Sequence, residues 1–265
     1  MTNKKMNSAL RGWIERWDRQ QELYLPYREE RFDAMATVLR HLVASERLSP
    51  GLRILDLGCG TGAIGQRLLS RFPAATYVGL DVDAALLELA SALQPEFGER
   101  FTVLQRDLAL DTWRTGFADG EFDVVASSTA LHWVDRQGIE QLFHQLAPLL
   151  RPGGVFFNAD NLAFASGYWQ DIATAVDLEQ QRRAAARGQE DWEAWWAAAR
   201  ADPLLAKFVA ERDLRFPPRS ADTLPAGPPP LSDYVEALES AGFVDIDVLW
   251  QRLDDRLLAA RRSPE

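Results

Sequence analysis

The stretch Arg53-Ile54-Leu55-Asp56-Leu57-Gly58-Cys59-Gly60-Thr61-Gly62 decides the reading of this chain. An apolar run ends in three glycines spaced two apart. Glycine has no Cβ, so it permits a tight turn and close approach of the backbone to a ligand. An apolar strand that feeds a glycine-rich turn and then a helix is how an α/β sheet builds a nucleotide site. Gly60-Thr61-Gly62-Ala63-Ile64-Gly65 also satisfies the dinucleotide pattern G-x-G-x-x-G. In a dinucleotide site, however, the first glycine comes straight off the strand and a pyrophosphate rests on the helix N-terminus. Here Asp56 and Gly58 precede Gly60. A carboxylate at the mouth of a pyrophosphate site repels that ligand and suits one with a cationic end.

Composition narrows the partners. The 265 residues suffice for one elaborated domain or one and a half, and 47% hydrophobic residues supply a full core. The formal net charge is −10, with no Lys/Arg cluster of the kind that displaces counterions from a nucleic acid. A small-molecule substrate is expected instead. No apolar run reaches the roughly 18 residues of a membrane span, and no apolar segment follows Lys4-Lys5 as it would in a signal peptide. Cys59 is the only cysteine, which fits a reducing cytosol and a cytoplasmic location. Inside a glycine turn it reads as a small packing residue. The oligomeric state is open.

Outward from the glycines, the chain divides into four segments. Residues 1–48 read as an N-terminal helical cover, broken into two helices by Pro26. Residues 49–162 alternate strands (53–57, 76–81, 101–106, 122–127, 154–159) with helices, which implies a parallel sheet covered on both faces. Residues 163–230 are a helix-rich cap, with Trp192, Trp195, Trp196 and Ala199 at helical spacing and a proline-rich stretch (Pro217-Pro218, Pro225 to Pro230) at its end. Residues 231–265 supply a helix and two strands separated by a few residues, an antiparallel hairpin.

Asp56-Leu57-Gly58-Cys59-Gly60-Thr61-Gly62 resembles the first motif of class I S-adenosylmethionine (SAM) methyltransferases. Their ligand carries a sulfonium and an ammonium and no phosphate. The resemblance extends over about residues 50–160, and in outline over 231–262. It implies a doubly wound, mostly parallel seven-stranded α/β sheet of Rossmann-like type, with an antiparallel C-terminal hairpin and a helical cap insertion. SAM is then the cofactor, held by Asp56, Gly58, Cys59, Gly60 and Gly62 at the first turn. Ligands of such a sheet sit at the carboxyl ends of the strands. There Asp81, followed by Val82, is placed to accept from ribose hydroxyls, and Asp83 reads alternatively as the N-cap of the next helix. The family likeness assigns Asp107 to the adenine amine and Leu108 to a ring nitrogen. Ser127 follows at the fourth strand end, and Tyr27 and Arg31, with Arg28, are candidate partners of the donor's carboxylate.

The acceptor side is read from Ser128-Thr129-Ala130-Leu131-His132-Trp133-Val134, which resembles the corresponding loop of small-carboxylate methyltransferases acting on trans-aconitate or malonyl-carrier protein. His132 has the chemistry of a base or of a substrate contact, and equally of a packing residue. Tyr24, Trp133, Asp160, Asn161, Trp169 and Trp196 are the candidate pocket. Asp160-Asn161 looks like a metal pair, but Ser127-Ser128 stands where the third oxygen ligand would be needed, so no metal is expected. The expected reaction is methyl transfer from SAM by in-line displacement to a small apolar or aromatic metabolite, at oxygen, nitrogen or carbon, with a carboxylate among the candidates. An NAD(P)-dependent oxidoreductase and a non-catalytic SAM-binding module are the alternatives.

Overall fold

The computed structural model describes residues 3–216 and 227–264. The prolines expected as a loop at 217, 218 and 225 lie outside the described residues. Two helices open the chain, α1 (Asn3–Tyr24) and α2 (Arg28–Ala44), parted at Pro26 as expected from its missing N–H. Strands β1 (Arg53–Leu57), β2 (Thr76–Asp81), β3 (Phe101–Gln105), β4 (Phe122–Ser128) and β5 (Leu150–Asn161) then alternate with α3 (Ala63–Arg71), α4 (Ala84–Ser91), the single turn α5 (Gln94–Phe97) and α6 (Arg136–Leu146). The insertion is helical, with α7 (Gly167–Ala186), α8 (Trp192–Ala201) and α9 (Ala206–Arg215). The chain closes with α10 (Leu231–Ser240), β6 (Phe243–Arg252) and β7 (Asp255–Arg262).

The seven strands run in the order β3-β2-β1-β4-β5-β7-β6. β1 to β5 are parallel, and β7 pairs antiparallel with both β5 and β6. The order reverses between β1 and β4, which is where such a sheet opens a crevice. Alternate residues feed opposite cores. Ile54, Val124 and Phe157 face α1 to α4, α8 and α9, while Leu55, Val125 and Phe156 face α6 and α10. Helices on both faces leave β1 and β4 buried along nearly their whole length.

Trp196 is not a pocket wall. It is 4% exposed and packs with Trp195 against Trp17 of α1, at ring separations of 6.0 and 4.9 Å. The stripe Trp192, Trp195, Trp196, Ala199 joins the insertion to the N-terminal helices.

The third glycine of G-x-G-x-x-G has a packing role. A Cβ on Gly65 would sit 2.7 Å from the Tyr77 ring. That ring is 1% exposed, stacks on Phe101 at 5.0 Å, and donates its hydroxyl to Asp56 Oδ2 at 2.7 Å. On the far side, a Cβ on Gly79 would meet the Tyr77 hydroxyl at 2.7 Å and Cys59 Sγ at 2.8 Å. Tyr77 thus fills the whole gap between α3 and the strands, and the dinucleotide match has a structural cause. Asp56 is 1% exposed and burial pushes its carboxyl up to about 7, against the pull of the Tyr77 hydroxyl.

Two outcomes follow. In an exposed helix, Gly→Ala stabilises by about 1 kcal/mol; Gly65→Ala is expected instead to destabilise by about 1–3 kcal/mol, because the overpacked ring has nowhere to move, as denaturant unfolding would read. For Asp56 the folded carboxyl lies above its unfolded value of 3.8, so stability falls as pH rises between the two and the folded state carries a buried charge above about pH 7. Asp56→Asn is therefore expected to melt higher than the native protein at pH 8, with the gap shrinking toward pH 5.

Candidate active site

The site is assembled at the carboxyl edge of the sheet. The turn after β1 is held by backbone bonds from Gly58 and Cys59 N–H to Leu80 O, at 2.8 and 2.9 Å, and by Gly60 N–H donating to Asp81 Oδ2 at 2.7 Å. Gly58, Gly60 and Gly62 all have φ between +53° and +80°. A Cβ on Gly58 would lie 2.2 Å from Ala130 Cβ, so the loop after β4 crosses the turn only because that side chain is absent. A Cβ on Gly60 meets nothing nearer than Leu86 at 3.8 Å and would stand in the open crevice.

Asp81 also accepts from Asp83 N–H at 2.8 Å, through its other oxygen. Burial pushes its carboxyl up, and the backbone donors of Asp83, Gly60 and Val82 pull it back. Each oxygen keeps acceptor capacity beyond its one backbone bond. Asp83 caps α4 by accepting from Ala85 N–H at 2.9 Å, and pairs with Arg212 of α9 at 2.8 Å. Asp107 accepts from Ala109 N–H at 3.0 Å and is ion-paired to Arg215. Leu108 is half-buried beside it and lines an open groove with Trp133. The arginines of α9 at this edge carry no motif and were not legible in the sequence.

Four of the sequence-derived candidates have other work. The Ser127 side chain is fully buried and donates to Leu57 O at 2.7 Å, stitching β4 to β1. Cys59 is 6% exposed and burial pushes its thiol well up, so the side chain packs and stays neutral. Asp56 lies beneath the turn, where one oxygen takes the Tyr77 hydroxyl and the other is buried without a protein partner. Arg31 is fully buried on α2 and paired with Asp255 of β7 at 3.0 Å, so it is closed to a ligand's carboxylate.

On the acceptor side, Thr129 has φ +52°, costly for a β-branched residue. It starts the turn that presents His132. The His132 ring meets Asp160 Oδ1 through Nδ1 at 2.8 Å. Asp160 is fully buried and its second oxygen has no hydrogen-bond partner. Burial pulls the imidazole down, but the Asp160 charge and hydrogen bond outweigh it and hold His132 above its ordinary 6.5. Nearby, Tyr24, Tyr27, Asn161 and Asp255 line a small pocket, in which the Arg252 guanidinium lies 3.3 Å above the Tyr27 ring. The Tyr24 hydroxyl accepts from Trp192 N–H at 3.1 Å. Trp133 and Trp169 are more than half exposed, at 55% and 58%. Among the described residues no group of three His, Cys, Asp or Glu side chains could hold a metal ion, and no helix is long and apolar enough to cross a membrane.

The residues present fit SAM. The open space at Gly60, the unpartnered buried oxygen of Asp56 and the rim carboxylate of Asp81 supply a backbone cradle and negative charge, with no basic side chain among them to meet a phosphate.

Comparison with known proteins agrees. Residues 54–154 match the family described as a methyltransferase domain. A trans-aconitate 2-methyltransferase of Deinococcus radiodurans is 36% identical over 123 residues, 46% of this chain and 43% of that protein. A malonyl-[acyl-carrier protein] O-methyltransferase of Legionella pneumophila is 32% identical over 38% of this chain and 34% of its own length. The chain thus spans less than half the length of these curated relatives. Among solved structures, a protein of Methanococcus maripaludis assigned as an S-adenosyl-L-methionine-dependent methyltransferase superposes with a TM-score of 0.54 over 97% of this chain and 94% of that one. At 13% identity that likeness is one of fold. Residues 54–154 are thus similar to a methyltransferase domain, and the sheet order and the glycine turn fit that likeness.

Proposed function

We propose that this protein methylates a small acceptor beside His132 and that the receiving atom is a carboxylate oxygen. The observation that carries the reading is the His132–Asp160 pair, half-exposed imidazole on fully buried carboxylate. A histidine whose charged form such a partner favours can donate a hydrogen bond to an anion. A carboxylate nucleophile needs no base. The named activities of the trans-aconitate and malonyl-carrier-protein relatives support the same acceptor class.

Bound SAM supplies a methyl group already activated by its sulfonium charge. The chain's own residues have three tasks. Asp81 would hold the ribose hydroxyls, and Asp107 and Leu108 would meet the adenine. The turn Gly58–Gly62 brings backbone close, over the buried carboxyl of Asp56. His132, fixed by Asp160, orients the acceptor oxygen, which is the positioning on which displacement reactions chiefly depend.

A second reading has its own observation: with Nδ1 on Asp160, the free Nε2 of a neutral His132 is also the atom of a base, which a hydroxyl acceptor would need. The two differ in sign. If charged His132 holds a carboxylate, kcat/KM falls as pH rises through the raised His132 value, above 6.5; if His132 is a base, it rises there. A methyl-transfer assay across pH 6–9 against a panel of carboxylic and hydroxylated metabolites decides it, and His132→Asn should erase the limb in either case. Independently, Asp81→Asn is expected to weaken SAM binding in calorimetry by about 1–3 kcal/mol, the loss of a charged acceptor; unchanged affinity would remove Asp81 from the site.

A further inference from the structure

Arg256 of β7 is 4% exposed, and among the described residues no carboxylate is ion-paired to it. The antiparallel register sets it opposite Asp160, and residues paired in this way project to one face of the sheet, about 5 Å apart at Cβ. Phe156 and Leu258 lie on that same face and pack against α6 and α10. The guanidinium does not close on Asp160, whose second oxygen has no hydrogen-bond partner. It runs past the end of β5 instead. Its Cζ lies 4.5 Å from the Phe164 ring centroid, its Nη1 reaches Ala163 O at a long 3.5 Å, and its Nε is buried with no partner. The two acids before it in the chain are held elsewhere. Asp255 projects to the other face and pairs with Arg31 at 3.0 Å, while Asp254 Oδ2 accepts from Gln170 Nε2 at 2.7 Å. A guanidinium taken out of water with no carboxylate on it is costly, and its planar fork of donors fits a carboxylate. We propose that Arg256 is a substrate-binding residue, whose guanidinium donates, alongside His132, to the carboxylate of the acceptor.

The proposal rests on the reading of His132 as the residue that meets the acceptor, and it names the group that selects a carboxylate there. Both donors stand at one edge. His132 Nδ1 is on Asp160 Oδ1 at 2.8 Å, so its Nε2 is turned away from that carboxylate. Ala163 and Phe164, which the guanidinium reaches, follow the last residue of β5 by two and three positions. They therefore lie at the carboxyl edge where ligands of such a sheet sit. Phe164 is half-buried, so this end of the arginine is not sealed in the core. The same face carries further buried polar atoms without a protein partner, both of Asn158 and the hydroxyl of Tyr234 on α10. Such groups are nearly always bonded in native proteins, and their concentration beside Asp160 marks a place for polar contacts. The charge of Asp254 favours the charged guanidinium. Asp160 and Asp254 oppose a free anion, so an anionic acceptor is held here only by direct donation, which Arg256 and His132 supply together.

The test uses the full chain and the carboxylate that is methylated in the panel of metabolites. Arg256→Met should raise KM for it by about 10–100-fold, the size of a charge-assisted hydrogen bond. kcat should change far less, because the contact is made in the bound state and kept during transfer. Arg256→Gln should do the same, and it keeps the test readable if Arg256→Met does not fold. SAM affinity in calorimetry should stay at the native value in both variants. Without acceptor, Arg256→Met should melt no lower than the native protein, since it removes a buried charge that has no ion pair. A structural Arg256 would show the reverse, a lower melting temperature with KM unmoved. An unmoved KM in a folded variant overturns the proposal and leaves the role of His132 intact. A panel in which no carboxylate is methylated, or in which His132→Asn turns over normally, overturns the reading of the site instead.

Discussion

Two loops at the carboxyl edge of the sheet are locked together by one carboxylate. Asp81 receives Gly60 N–H at 2.7 Å and Asp83 N–H at 2.8 Å, so the end of β2 holds the glycine turn that follows β1. Almost everything at the site refers to this clamp. The turn must be glycine because the loop after β4 lies across it, with Ala130 where a Gly58 side chain would be. That loop in turn carries Thr129 in a strained conformation and delivers His132 to Asp160. Charge follows the same layout. Carboxylates line the rim and the floor of the turn, which suits a sulfonium and ammonium donor and opposes a diphosphate.

The other half of the site is built by elements from the two ends of the chain. The helical break at Pro26 brings Tyr24 and Tyr27 to the pocket, and α2 sends Arg31 inward to Asp255. The hairpin returns β7 antiparallel to β5, so its first residue lies at the edge where the parallel strands end. Asp160, Asp254, Asp255, Arg31 and Arg256 are all buried at this end of the sheet. A buried arrangement of this kind is costly as a source of stability.

The sheet, its order of elements, the break at Pro26, the terminal hairpin and the helical insertion were all legible in the sequence, because apolar period, glycine and proline act locally. So were Asp81 at its strand end and Asp83 as a cap, since both depend on backbone geometry a few residues away. Side-chain direction was not. Asp56, Cys59 and Ser127 lie in the motif segments yet point into the packing beneath them, toward Tyr77, Gly79 and Leu57 O. Gly65 completed a dinucleotide pattern in the sequence for a reason found 12 residues on, the ring of Tyr77.

What the sequence determined by itself was the donor site's backbone. A run of five apolar-biased residues, three alternating glycines and an acid at the next strand end leave little choice of turn, because each acts through its own φ or its own hydrogen bonds. What only the tertiary structure decided was which charges meet. Arg31, Asp160 and Asp255 are far apart along the chain, and arginine on a helix has the same local preferences whether it greets a ligand or a buried aspartate. Long-range packing of α2 and β7 against β5 chose the aspartate, since a guanidinium removed from water must take the carboxylate that is buried with it.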